Sequence, residues 1–283
     1  MTRLAAHSLR LRSHGRKALV AYLTAGYPDV ETSLGLILAA AEAGCDAIEI
    51  GIPFSDPIAD GPVIQAASTQ ALAGGMTVAG AMTLAARAAE RTDVPLLFMS
   101  YVNPILAYGI DRFAEDAARA GVSGAIVPDV PHEESAEIRA ALEARGLALI
   151  DLVAPTSSDP RLRAIGATAR GFLYLVSLTG VTGARARLDA DLSAFVSRVR
   201  AVTEVPLYVG FGISNAEQAA AAARAADGVI IGSRLLALAG AAEGGAAGDA
   251  ARAGAADAAG RVAAFLAEVR AALDAPALAD GTG

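Results

Sequence analysis

The chain has 283 residues, 54% of them hydrophobic and 19% charged, with a net charge of −7. That apolar content excludes a disordered chain, and an acidic balance without a Lys/Arg block excludes a dedicated nucleic-acid binder. Cys45 is the single cysteine, the first residues carry no apolar signal-like run, and no apolar stretch reaches the roughly 20 residues of a membrane span, so a cytoplasmic protein without disulfides or membrane helices is expected.

In chain order, short runs rich in Val, Ile, Leu and aromatic residues predict strands over 18–24, 47–52, 95–101, 124–130, 148–153, 171–178, 206–210 and 228–231. Each is followed by a helix-period stretch: 31–43, 77–90, 111–120, 133–145, 160–169, 191–202, 215–225 and 258–273. Gly44, Gly121 and Gly146 stand where helix C-caps belong. Near-continuous apolar strands joined by helices imply parallel strands buried on both faces. Eight such units predict a (β/α)8 TIM barrel, one domain over 1–283, with an open doubly wound sheet as the alternative.

Two additions to a minimal barrel are visible. An extra helix is expected at 64–73, within a long connection after the second strand, and a short one at 235–238, after the eighth. Residues 239–260 are nearly all Ala and Gly and predict a flexible or weakly helical insertion; 276–283 predict a frayed tail.

A barrel of this kind carries its chemistry at the C-terminal ends of its strands. Glu49 lies inside the apolar second strand, where alternation points it inward. A buried carboxylate needs a partner or a task. Desolvation raises its pKa, which suits proton transfer near neutral pH; pairing with a core Arg is the competing reading. Asp56 and Asp60 follow in a Pro/Gly-rich loop. Asp56 reads equally well as a turn residue, whereas Asp60 offers a second carboxylate for a division of labour with Glu49. Glycine turns follow three late strands, at 177–183, 210–214 and 231–236. Their backbone N–H groups, with a short helix starting at Ser233, predict a phosphate site.

The inventory also excludes chemistries. A Schiff-base aldolase needs a lysine at a strand end, and Lys17, the only lysine, precedes the first strand. His7, His14 and His132 are scattered, which speaks against zinc, and His132 reads as a surface loop residue. Tyr22, Met99, Tyr101, Ile126, Leu152, Tyr174 and Phe211 fall at strand mouths, as barrel packing or as walls for a flat apolar ligand.

The run of residues 48–62, IEIGIPFSDPIADGP, closely resembles the signature of the tryptophan synthase α subunit family. The resemblance continues through Tyr101-Val102-Asn103-Pro104, Pro128-Asp129-Val130-Pro131, residues 177–183 and Gly210-Phe211-Gly212-Ile213, and covers roughly residues 17–236. It implies retro-aldol cleavage of indole-3-glycerol phosphate to indole and glyceraldehyde 3-phosphate. By position it implies Glu49 as catalytic acid/base and Asp60 as second catalytic carboxylate. It places Tyr174 beside the substrate, Tyr22, Met99, Ile126, Leu152 and Phe211 around the indole, Gly183, Gly212, Gly232 and Ser233 where phosphate binds, and Thr182 among the substrate-binding residues. The family more often has Phe at the position of Tyr22. No metal and no cofactor in this chain are implied. Pyridoxal phosphate would belong to a tryptophan synthase β subunit, partner in an αββα heterotetramer to which indole passes by a tunnel. Asp56, residues 103–108 and residues 131–134 match docking surfaces, and 179–188 a loop closing over substrate.

Overall fold

Strand β1 (Ala18–Thr24) pairs in parallel with β2 (Ala47–Gly51) on one side and with β9 (Gly228–Ile231) on the other. Between them run β3 (Leu96–Met99), β4 (Gly124–Ile126), β5 (Ala148–Ile150), β6 (Leu152–Val153), β7 (Leu173–Val176) and β8 (Leu207–Gly210). All pairs are parallel, in the order β5-β4-β3-β2-β1-β9-β8-β7-β6. The two end strands, β5 and β6, follow each other in the chain, so the sheet curls into a barrel. The computed structural model describes residues 2–176, 185–210, 212–240 and 249–275.

The expected fifth strand is thus split at Asp151. The ladder bridges the break, because the Tyr174 N–H donates to the Asp151 carbonyl at 3.0 Å. Several strands end earlier than their apolar runs. Residues 127–130 and 100–101 lie beyond the assigned strands instead, and Pro128 among them reaches the cavity wall.

The helices are α1 (Arg3–Ser13), α2 (Val30–Glu42), α3 (Pro62–Ala73), α4 (Val78–Ala89), α5 (Val102–Tyr108) and α6 (Ile110–Arg119). They continue with α7 (Ala136–Glu143), α8 (Asp159–Thr168), α9 (Arg185–Arg200), α10 (Ala216–Ala225), α11 (Ser233–Gly240) and α12 (Asp249–Asp274). The punctuation works as expected at Gly44, whose φ of 92° allows the Cys45 N–H to reach back to the Ala40 carbonyl at 3.1 Å.

Two helices escape the periodicity reading. α1 is rich in Arg, yet Leu4, Ala5 and Ser8 are buried along one face. α5 contains Pro104, which its first turn tolerates because those N–H groups lack intrahelical partners anyway. The last helix also starts earlier than 258: α12 already runs from Asp249, since alanine is the best helix former. Residues 241–248 of the expected insertion and the tail 276–283 lie outside the described residues.

Inward parity sets what fills the barrel. Register places Tyr22 beside Glu49 and Glu49 beside Leu97, all facing the interior. Beneath them Leu97, Ile126, Ile150, Phe172, Tyr208 and Ile230 form an inner cluster, with Phe172 stacked on Tyr208 at 4.4 Å. Leu4 of α1 joins this cluster and closes the N-terminal mouth. The C-terminal mouth stays open.

Candidate active site

A cavity of about 600 Å³ opens at the C-terminal mouth. Its walls bring together Tyr22, Asp60, Met99, Leu152, Tyr174, Gly212, Gly232 and Ser233, each singled out from the sequence. Ile126 is fully buried in the inner cluster rather than on the wall. Thr182, Gly183 and Phe211, together with the expected closing loop up to residue 184, lie outside the described residues.

Glu49 is the centre of the arrangement. It is 0% exposed, and neither carboxylate oxygen has a hydrogen-bond partner. The reading of Glu49 as one half of a core Glu–Arg pair therefore fails. Burial alone pushes its pKa up to about 8, so the acid form dominates at neutral pH. Asp60 differs by its setting. Partial burial raises its pKa to about 6, and the neighbouring Tyr101 hydroxyl pulls the other way. At pH 7 Asp60 is mostly ionised while Glu49 is mostly protonated, a separation of roles set by environment.

Three tyrosines frame the pair. Tyr22 and Tyr174 are buried, and desolvation holds both phenols far above their usual range. Their hydroxyls need space that neighbouring strands provide through glycine. A Cβ at Gly51 would overlap the Tyr22 hydroxyl, and one at Gly210 would overlap that of Tyr174. Tyr101 holds the loop of Asp60: its hydroxyl accepts from the Ala59 N–H at 2.8 Å, and its ring packs on Phe54 at 5.5 Å. Burial and the Asp60 charge push the Tyr101 phenol up to about 12.

The turns at Gly212 and at Gly232-Ser233 also line the cavity. α11 starts there, and the first-turn N–H groups of a helix have no intrahelical acceptors, which makes its start an anion seat. Ser214 completes this side, fixed through its N–H and hydroxyl to Gln218 at 2.8 and 2.9 Å. Among the described residues no cluster of His, Cys, Asp or Glu could hold a metal ion. Lys17 sits at the opposite mouth, its Nζ donating to the Ala226 carbonyl at 2.8 Å.

Sequence reasoning missed some wall residues. Pro128 belongs to a Pro-Asp-Val-Pro run whose spacing marked it, and Arg234 directly follows Ser233. Ile64, Val176 and Ile230 carry no signal beyond hydrophobicity. His132 is no surface residue: its Nδ1 lies 3.0 Å from the buried carboxylate of Asp151, which Arg139 also holds at 2.7 Å. A strand-interrupting Asp held by Arg139 and His132 packs the loop after β4 against the barrel.

The family model described as tryptophan synthase alpha chain matches residues 9–266. The tryptophan synthase alpha chain of Dehalococcoides mccartyi is 53% identical over 223 residues, 79% of this chain and 88% of that one. That of Citrifermentans bemidjiense is 50% identical over 236 residues, 83% of this chain and 88% of that one. In three dimensions the chain resembles the tryptophan synthase alpha chain of Legionella pneumophila, with a TM-score of 0.84, 35% identity and coverage of 97% and 98% of the two chains. It also resembles a chain of Mycobacterium tuberculosis tryptophan synthase, with a TM-score of 0.84, 38% identity and coverage of 97% and 99%.

Proposed function

The chain belongs to the tryptophan synthase alpha chain family, and on that premise we propose that Glu49 and Asp60 carry its lyase reaction, the retro-aldol cleavage of indole-3-glycerol phosphate to indole and glyceraldehyde 3-phosphate. The observation that carries the assignment is the buried, unpartnered carboxylate of Glu49, in register beside Tyr22 of the cavity wall.

Breaking the bond between indole C3 and the glycerol side chain needs a proton on C3 and loss of the proton from the adjacent hydroxyl. Glu49, protonated at neutral pH, donates to C3. The resulting cationic character at the ring N–H is balanced by ionised Asp60. As the C–C bond breaks, its electron pair returns to the indole ring. The hydroxyl proton passes to the Glu49 carboxylate, the aldehyde forms, and Glu49 is again an acid. Tyr22, Met99, Leu152 and Tyr174 supply the apolar walls on which a flat ring packs. Ile126, fully buried, supports Met99 and Leu152 from below. Gly212, Gly232 and Ser233 present backbone donors to the phosphate, with Thr182, Gly183 and Phe211 assigned by family position.

The chain needs no cofactor of its own for this chemistry. Pyridoxal phosphate is assigned to a β subunit that receives indole in an αββα assembly, with the loops around Asp56, 103–108 and 131–134 as the docking side. A cytoplasmic setting fits the buried free thiol of Cys45, and no helix among the described residues is long and apolar enough to cross a membrane. The test is turnover of indole-3-glycerol phosphate by purified protein, with and without a β subunit. Indole release that rises with β supports both reaction and partner. Release indifferent to β points to a stand-alone indole lyase, and none from folded protein sinks the catalytic assignment.

A further inference from the structure

The cavity poses an electrostatic problem to any phosphorylated substrate. Asp60, mostly ionised at neutral pH, places a carboxylate on its wall, and the whole chain carries a net charge of −7. A phosphate ester is close to a dianion at neutral pH. Backbone N–H groups offer partial charges only, roughly half a unit at a helix start. Entry of a dianion past the Asp60 carboxylate into an acidic chain calls for a full positive charge near its seat.

Arg234 is the one basic side chain among the described residues lining the cavity. It sits in the first turn of α11, next to Ser233 and Gly232. A cation is misplaced at that end of a helix, where the macrodipole favours anions. It makes no ion pair with another described residue; its guanidinium rests over the Phe265 ring of α12, 5.7 Å from the centroid. By contrast Arg16, Arg87, Arg139, Arg198, Arg200 and Arg270 each hold a carboxylate. Among the described residues Arg234 is thus a cation without a carboxylate partner, beside an anion seat lined by no other cation.

We propose that Arg234 is a specificity-determining residue that selects the phosphate end of the substrate by charge, adding a side-chain cation to a seat otherwise built from backbone N–H groups. The proposal rests on the reading of the Gly212 and Gly232-Ser233 turns as the phosphate seat. The Phe265 ring stores the guanidinium at the rim through a contact weak enough to be given up for a phosphate oxygen. The charge draws the dianion in and offsets the field of Asp60.

The experiment measures binding to wild type, R234A, R234K and F265L by calorimetry. The probes are glycerol 3-phosphate, 3-(indol-3-yl)propyl phosphate, and the matching indolyl propanol without phosphate. R234A is expected to bind both phosphates about 10-fold more weakly and with a shallower salt dependence, the size of a partly exposed charge-assisted hydrogen bond. It is expected to bind the uncharged alcohol as wild type does, which a merely structural loss would not allow. R234K recovers part of the affinity, and F265L, which keeps the cation, retains most of it. In turnover the R234A loss appears in KM, with kcat changed less than about twofold. Equal phosphate affinity in wild type and R234A overturns the proposal. So does an F265L loss as large as that of R234A, or a parallel loss for the alcohol. Arg234-dependent phosphate binding in a wild-type protein that releases no indole upholds the proposal and sinks the reaction assigned above.

Discussion

The two mouths of the barrel use the same residue types to opposite ends. At the N-terminal mouth Asp46 is 7% exposed, and both of its oxygens are held. Oδ1 accepts from Arg16 Nε at 3.1 Å; Oδ2 accepts from the Leu19 N–H at 2.9 Å and from Arg270 Nη1 at 3.1 Å. Asp227 repeats the device one strand over, binding Arg200 and the Leu207 N–H. Each aspartate immediately precedes a strand and ties down the start of the neighbouring one. Further along β2, at the other mouth, Glu49 is more deeply buried than Asp46 and has no partner at all. Placing a carboxylate in the interior is costly either way. At the lower mouth the cost is offset by guanidinium and amide donors. At the upper mouth the carboxyl group stays neutral, and its proton is available for transfer.

The largest effect that would test this contrast is kinetic. Glu49→Gln keeps shape and burial but removes the mobile proton, so indole release is expected to fall about 10³-fold or more, with fold and phosphate binding kept. A single-turnover assay beside circular dichroism reads both, and a rate within tenfold of wild type would break the comparison. Asp46→Ala is the mirror experiment at the lower mouth. It leaves Arg270, itself 8% exposed, without its buried carboxylate, and about 3 kcal/mol of stability should be lost in urea titration, with turnover per folded molecule preserved. Loss of turnover without loss of stability would erase the distinction between the mouths.

The pH dependence sharpens the upper mouth further. kcat/KM requires protonated Glu49, with its pKa about 8, and ionised Asp60, with its pKa about 6. The profile should be a bell that falls about tenfold per unit beyond each flank. In Glu49→Gln the residual rate should lose the alkaline flank and keep the acid one. A flat profile from pH 5 to 9 would remove both carboxylates from the proton chemistry.

The smallest effect is one of stability, and its sign follows from linkage. Glu49 has a higher pKa folded than unfolded, so between about 4.5 and 8 the native state binds more protons and stability declines as pH rises. Glu49→Gln removes that decline. Its stability relative to wild type should rise steadily from pH 5 to pH 8, from an offset set by the pH-independent cost of the buried amide. A difference that stays flat over this range would mean that the carboxylate is ionised and paired after all.

Much of this was legible in the chain itself. Strand and helix periodicity, the glycines after helices and the count of eight units determine a parallel barrel, because burial on both faces demands near-continuous apolar strands. The same alternation turns Glu49 inward, and the loop spacing brings Asp60 to the same mouth. Periodicity failed where side chains serve something other than the ladder: at Asp151, which breaks the fifth strand to take Arg139 and His132, at α5, whose Pro104 disguises a helix, and at α1, whose arginines hide a buried stripe. Only the tertiary structure decided which carboxylates are paired. Asp46 and Glu49 are near neighbours, one just before β2 and one within it, and nothing local tells which is paired. What separates them is Arg270, distant in sequence and adjacent in space, because partners of a buried charge are recruited by the fold and not by the segment that carries it.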